Sequence, residues 1–265
     1  MRRWLRAMGA YLSLGLQAAL VYQVWFWMRL ATGLMALVVA WYFWSAVYAG
    51  AGEVAGVPRE VALRYALVAQ VLGGAGVAMV LLDLSASLRE GRIAHELLVP
   101  LDRQVAQYAA TLGRWGSEQL WRLPLWVVVA FTGVGLPATP LTWLAAAASF
   151  LLGASVMFCF EWLLACAAFY TTEVWGIGVA AEAVALFFGG TLVPLDFMPP
   201  WLRTVAEALP FQQVVYLPGS LLAGLTPLDR APGVLATQLA WLVGLGVVSR
   251  LAQARALRVV TVQGG

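Results

Sequence analysis

Residues 123–160 read LPLWVVVAFTGVGLPATPLTWLAAAASFLLGASVMFCF and contain no charged side chain. A helix needs about 20 predominantly apolar residues to cross the hydrocarbon core of a bilayer, so this run is too long for one crossing. Gly133, Gly135, Pro137 and Pro140 interrupt it, and glycine and proline are the residues that most often end a helix. The run therefore predicts two membrane-spanning helices joined by a tight turn.

The rest of the chain has the same apolar character. Hydrophobic residues make up 62% of the 265 residues and charged residues only 11%. A water-soluble domain of this length needs more polar surface, so we predict an all-α integral membrane protein that forms one transmembrane domain over residues 1–265. The hydrophobic runs predict six spans, at about residues 28–50, 61–84, 118–135, 141–170, 174–195 and 231–252.

The uncharged stretch over residues 7–28 leaves two possibilities open. Only Arg29 separates it from the next apolar run, which leaves no room for a turn between two spans. Arg2, Arg6, Ser13 and Gln17 also fall on one helical face, as in a helix that lies in the membrane interface. We therefore expect an interfacial amphipathic helix over about residues 2–24, with a seventh span as the alternative.

All 16 basic residues are arginine. The missing lysine excludes a phosphate-binding loop of the G-x-x-x-x-G-K-[ST] type, so the chain is not a P-loop ATPase by itself. With six spans, most arginines fall in segments on one side of the membrane, and by the positive-inside rule that side is the cytoplasm. We expect a multi-pass protein of the cell (inner or plasma) membrane with both termini in the cytoplasm. The basic balance gives no reason to expect nucleic acid as a partner. The arginines that remain outside are Arg59, Arg64, Arg203 and Arg230.

Residues 89–103, REGRIAHELLVPLDR, form a charged segment between the second and third spans. Ile93, Leu97 and Leu101 repeat every four residues, which predicts a short amphipathic helix over about residues 89–102. Apolar anchors inside a charged rim are typical of a helix that docks into a groove of a partner protein. A solvated loop with an amphipathic edge is the plainer interpretation. The candidate contact residues are Arg89, Glu90, Arg92, Ile93, His95, Glu96, Leu97 and Asp102.

A second unusual segment, residues 189–219, reads GGTLVPLDFMPPWLRTVAEALPFQQVVYLPG. Its glycines and prolines break the backbone, yet the segment stays apolar and aromatic. Broken backbone at membrane depth must be shielded by protein or line a cavity, so we predict short re-entrant helices between spans five and six. An external loop anchored by Trp201 and Tyr216 is the alternative. The residues that define this segment are Pro194, Pro199, Trp201 and Pro210.

Two acids, Glu161 and Glu182, fall inside the fourth and fifth spans. A charged side chain at the bilayer centre costs about 3 kcal/mol on insertion scales, so such residues usually face a partner or a cavity. A structural hydrogen bond to another helix and contact with a cation or substrate are both open. His95 is the only histidine and has no cysteine nearby, so we predict no metal site.

Taken together, these features resemble the permease subunits of second-type ATP-binding-cassette (ABC) exporters. The resemblance covers the whole chain, from the interfacial helix through six spans. Its more specific parts are the segment Glu90-Gly91…Leu97-Leu98-x-Pro100 and the outer residues Pro194, Pro199, Trp201, Leu202, Leu209 and Pro210.

The resemblance implies a dimer, with either a second copy of this permease or a related one, served by two separate cytoplasmic ATPase subunits. Residues 89–102 would then be the coupling helix that inserts into the ATPase. ATP and Mg would bind to the partner, so this chain would bind no cofactor and catalyse no reaction itself. A hydrophobic or amphipathic substrate would move outward, in contact with membrane lipids. The alternatives are a secondary transporter that uses Glu161 or Glu182 and a membrane-embedded lipid-processing enzyme.

Overall fold

A computed structural model of the protein describes residues 23–73, 79–92, 102–137, 139–171 and 174–258. Within these ranges the regular secondary structure is helical apart from a hairpin of two short antiparallel strands, so the predicted all-α class is confirmed. The hairpin pairs β1 (Glu53–Val54) with β2 (Val57–Pro58). The helices are α1 (Gln23–Val47), α2 (Arg59–Leu72), α3 (Met79–Arg89), α4 (Arg103–Phe131), α5 (Pro140–Ala165), α6 (Trp175–Phe188), α7 (Pro200–Glu207), α8 (Tyr216–Ala223) and α9 (Ala231–Ala256).

Three helical stretches in the described part of the chain are long and apolar enough to cross a membrane. They are Phe26–Val47, Pro140–Phe169 and Leu228–Ala256, and α6 is a shorter apolar helix. Even the shortest of the three, at 22 residues, extends about 33 Å at 1.5 Å per residue, which exceeds the roughly 30 Å of hydrocarbon. The chain is therefore a multi-pass membrane protein. The predicted interfacial helix lies mostly outside the described residues.

Helix α5 is the centre of the bundle, packed against α3, α8 and α9. It begins with Pro140 at its first turn, where the missing N–H costs nothing. The turn before it contains Gly133 and Gly135, both at positive φ (75° and 70°), a backbone conformation that glycine adopts without steric cost. The long uncharged run therefore divides at the glycines and prolines that predicted its turn.

The predicted second span, residues 61–84, is not one continuous helix in the described residues. Helix α2 ends at Leu72 because Gly73 takes a φ of 62°, and the next described helix is α3, Met79–Arg89. The Arg122 guanidinium donates a hydrogen bond to the carbonyl of Leu72. A cation at this position complements the partial negative charge of a helix C-terminus. The break therefore has a specific electrostatic partner, which hydropathy alone could not indicate.

The predicted third span also differs from the helix that contains it. The span was expected over 118–135, whereas α4 begins at Arg103 and ends at Phe131. Asp102 caps its N-terminus by accepting a hydrogen bond from the Val105 backbone N–H at 3.0 Å. At 29 residues, α4 is about 43 Å long and so extends well beyond one hydrocarbon thickness. The first half of α4 contains Arg103, Arg114 and two glutamines, so a criterion based on apolar runs does not include it.

Five short helical elements connect α6 to α9. Two are the helices α7 and α8, and three are 3-10 turns at Leu195–Phe197, Pro210–Gln213 and Leu228–Arg230. Arg64 of α2 holds this region to the rest of the bundle, because it donates to the carbonyls of Val134 (2.8 Å) and Ala223 (3.0 Å). The predicted short helices are therefore present between α6 and α9, and their re-entrant placement stays a prediction.

Candidate coupling site

The structure describes only the two ends of the predicted coupling segment, residues 89–92 and residue 102. Arg89 is the last residue of α3, and Gly91 follows at a φ of 70°. Glu90 and Arg92 form an ion pair of 2.5 Å with both side chains more than half exposed. Charges this accessible are available to a partner protein. The other predicted contact residues, Ile93, His95, Glu96 and Leu97, lie outside the described residues.

The far end of the segment is joined to the last helix. The Asp102 carboxylate that caps α4 also pairs with Arg250 of α9 at 2.5 Å. Partial burial would raise the pKa of Asp102, but hydrogen bonds from Arg250 and from the Val105 backbone outweigh it and lower the pKa. Asp102 is thus held ionised in its pair with Arg250. In the first turn of α4, buried Gln104 donates to the Ser249 hydroxyl at 2.9 Å.

The near end of the segment is joined to the same helix α4. Asp83 of α3 accepts hydrogen bonds from Arg114 (2.8 Å) and Gln107 (3.2 Å), both on α4. Asp83 lies less than two turns before Arg89, where the coupling segment begins. We name these contacts the coupling frame, defined by Asp83, Asp102, Gln104, Arg114 and Arg250. The frame links α3, α4 and α9 around the two ends of residues 89–102.

Glu161 lies deep inside the bundle, on α5, with only 2% of its surface exposed. Its carboxyl faces the backbone of Val80 on α3. An acid inside a membrane span usually faces protein or a cavity rather than lipid. This contact supports the interpretation of Glu161 as a structural residue.

Glu182 has a different setting, on the shorter helix α6. It lines an apolar groove of about 340 Å³ together with Leu82 of α3 and Trp175, Val179 and Leu186 of α6. The two acids singled out from the sequence are thus on neighbouring helices. Glu161 lies against the backbone of α3, whereas Glu182 faces a groove between α3 and α6.

Arg122 is the functional candidate that sequence reasoning missed. It is 8% exposed, and besides the Leu72 carbonyl it contacts Glu118 at 3.5 Å. Its guanidinium carbon lies 5.2 Å from the centre of the Trp121 ring, a cation–π contact. Glu118 also pairs with Arg29 of α1 at 3.7 Å. Two features of the sequence indicate this site. Glu118 and Arg122 are four residues apart, which suits an ion pair on one helix, and the glycines from Gly73 onward predict a break in the second span.

The outer segment forms its own polar network. Arg203 of α7 bridges Asp196 (3.1 Å) and Glu207 (2.7 Å), and Tyr216 donates to Asp196 at 2.9 Å. Tyr65 of α2 donates to the Gly190 carbonyl at 2.7 Å, which ties the network to the bundle.

The four outer residues predicted from the sequence have separate positions in that region. Pro194 precedes the first 3-10 turn and Pro199 precedes α7, while Pro210 begins the second 3-10 turn. Trp201, on α7, is 69% exposed. The three prolines therefore lie where the short elements begin. The exposed Trp201 side chain is accessible to the medium outside the protein. Within the described ranges, no group of three or more His, Cys, Asp or Glu side chains could hold a metal ion.

A family model described as ABC-2 family transporter protein matches residues 34–264. The chain belongs to the ABC-2 transporter family. The match in this ABC-2 transporter includes the coupling segment, the outer segment and all of the described helices from α2 to α9. No curated protein and no solved structure matches the chain. The resemblance inferred from the sequence is confirmed, and membership identifies a membrane component of a transporter that works with an ABC ATPase.

Proposed function

We propose that this chain is the permease subunit of an ATP-driven exporter, which moves a hydrophobic or amphipathic substrate outward when coupled to separate ATPase subunits. The observation that supports this most is the coupling frame. A loop without a mechanical role needs no ion pairs at both ends, yet Asp83–Arg114 joins the near flank of residues 89–102 to α4, and Asp102–Arg250 joins the far flank to α9.

The frame suggests how force would reach the membrane. ATP binding would draw the two ATPase subunits together and move the coupling segment. Because Asp102 both caps α4 and binds α9, the segment would carry these two helices with it. Asp83 would carry α3 by the same motion. A push at the cytoplasmic surface is thereby distributed over three helices.

The outward path would open between the first, second and fifth spans of two permease copies, either identical or related. In this arrangement α1 is the first span, α2 and α3 together form the second, and α4, α5, α6 and α9 complete six. The short elements between α6 and α9 would be re-entrant from the outer surface. The broken second span gives that path a point of flexure at Gly73, next to Arg122.

The chain itself would break no bonds, since ATP and Mg would bind to the partner. An apolar surface suits an apolar cargo, and α1 exposes Trp27, Met35, Tyr42 and Phe43 among its outward side chains. Both termini would be cytoplasmic in the cell membrane, consistent with the arginine distribution.

The proposal is tested by copurifying this chain with an ATPase expressed from the same operon. Reversing the charges in the coupling segment, with Arg92→Glu and Glu96→Arg, is expected to lower the recovered ATPase about tenfold, since opposed like charges at an interface cost several kcal/mol. The matched control, Arg59→Glu with Glu60→Arg, reverses an exposed pair at the start of α2 and should leave recovery unchanged. Equal recovery from both variants, or no bound ATPase with the unmodified chain, would refute the proposal.

A further inference from the structure

A groove runs between α4 and α5, which are consecutive in sequence. Trp115 and Trp126 of α4 line one side of it, and Trp143 and Phe150 of α5 line the other. The Trp126 and Trp143 rings meet edge to face, with centroids 5.4 Å apart. The groove has a volume of about 370 Å³. The two helices are thus separated along part of their length by a cleft walled with aromatic rings.

The floor of the groove consists of two buried residues from other elements. Leu72, the last residue of α2, is 6% exposed, and Leu222 of α8 is 2% exposed. Leu72 is also the residue whose carbonyl binds Arg122. Whatever fills the groove therefore packs against the break in the second span and against the outer segment.

The chemistry of the groove excludes water as its filling. Gln119 is the one amide among its lining residues, and the Trp143 indole N–H already donates to the Pro137 carbonyl at 3.0 Å. Apolar cavities without convergent polar groups stay dry. The same two helices expose Leu123 of α4 and Leu144 of α5, and α5 is one of the helices able to cross the membrane. The medium at its mouth is therefore hydrocarbon.

The width of the groove indicates what kind of molecule can fill it. The lining residues of α4 run from Leu112 to Trp126, a rise of about 21 Å. Counting all of the space between its walls, about 900 Å³, the groove has a mean cross-section of about 43 Å² over that length, whereas a helix about 10 Å in diameter needs about 80 Å². A helix from a second copy of the chain is too thick to enter. A single extended hydrocarbon chain is thin enough.

We propose that this groove binds one acyl chain of a bilayer lipid as a structural ligand, separate from the exported cargo. The chain fills the space between α4 and α5 and supports the end of α2 through Leu72. The site lies between the third and fourth spans, away from the outward path assigned to spans one, two and five. It requires only that the protein resides in a bilayer, so it stands or falls independently of the exporter proposal.

The test uses phosphatidylglycerol with a photoreactive diazirine on one acyl chain, added to the purified full-length protein in detergent. After illumination, peptides that cover 112–126 and 143–151 are expected to carry at least about tenfold more label than the lipid-facing peptide 232–248 of α9, as for a site that binds about 1.4 kcal/mol more tightly than the general surface. Uniform labelling of all three peptides would overturn the proposal, because it would indicate only ordinary contact with surrounding lipid.

Two variants that fill the groove sharpen the test. Ala147→Phe and Gly116→Leu change lining residues on opposite walls, and each should lower the groove labelling about tenfold. Ala240→Phe places the same phenyl ring on an exposed position of α9 and should leave it unchanged. Thermal unfolding by tryptophan fluorescence identifies any variant that fails to fold, and the second filling variant then decides. Groove labelling that persists in a folded filling variant would overturn the proposal, as would a disulfide-linked dimer from Ala147→Cys.

Discussion

A Gly153→Ala variant is expected to lower the free energy of unfolding by about 3 kcal/mol, because overpacking at a rigid contact forces backbone movement. A β-carbon at position 153 would meet the backbone carbonyl of Gln213. A side chain could rotate away from such a clash, but a backbone carbonyl cannot. The measurement is thermal unfolding of the purified protein followed by intrinsic tryptophan fluorescence.

The Gln213 carbonyl is held from the other side as well. Gln238 of α9 is fully buried and donates to the carbonyls of Gln213 (2.8 Å) and Ser149 (3.0 Å). Three elements therefore meet at this point: α5, the turn Pro210–Gln213, and α9. An amide that satisfies two backbone carbonyls inside an apolar bundle is difficult to replace, so the clash cannot be relieved by moving the turn toward α9.

The control is Gly244→Ala on α9, where nothing lies within 4 Å of the added β-carbon. Alanine is the better helix former by about 1 kcal/mol, so this variant should unfold at the same temperature as the unmodified protein or higher. Equal melting temperatures for the two variants would show that the Gly153 contact does not hold the outer segment to the bundle.

If the coupling frame transmits the motion of the ATPase as proposed, reversing the charge of Arg250 is expected to abolish the ATP-dependent movement of the permease. Arg250→Asp places two carboxylates together at the joint between α4 and α9, and like charges there would separate the two helices that the proposal moves as one. The pair is 42–45% exposed, and exposed pairs contribute about 0–1 kcal/mol to stability. The fold should therefore persist while the coupling fails.

The measurement is the distance between spin labels at Trp201→Cys in the two permeases of the complete transporter, with and without ATP. The unmodified frame should give an ATP-dependent change in distance, Arg250→Asp should give none, and the double variant Asp102→Arg with Arg250→Asp should restore it. Asp102→Asn keeps a good N-cap for α4 while removing the charge that pairs with Arg250. This variant therefore distinguishes the effect of losing the ion pair from the effect of losing the cap. An unchanged ATP response in Arg250→Asp would remove the frame from the mechanism.

The large features of the fold could be predicted from the sequence because they depend on local composition. Uncharged runs of membrane length identify α1, α5 and α9, and Gly133, Gly135 and Pro140 predict the turn before α5. The segment over residues 89–103 stands out in the sequence because charge is rare elsewhere, and its coupling role stays a prediction. These are signals that a window of neighbouring residues contains.

The remaining features depend on contacts between residues far apart in sequence. Arg122 binds a carbonyl 50 residues earlier, and Glu161 approaches the backbone of Val80 on α3. No window of sequence contains both partners, and an average of hydropathy does not register a single glycine at positive φ. The broken second span and the buried Gln238 could be found only once the helices were placed together.

The central claim is that the energy of ATP enters this protein through residues 89–102. The most direct test replaces His95 with the photoreactive amino acid p-benzoylphenylalanine in a cell that also expresses the partner ATPase. Illumination should give one covalent product that contains this chain and the ATPase, while the same replacement at exposed Trp201 should give none. Failure of position 95 to cross-link the ATPase, or equal cross-linking from position 201, would contradict the account.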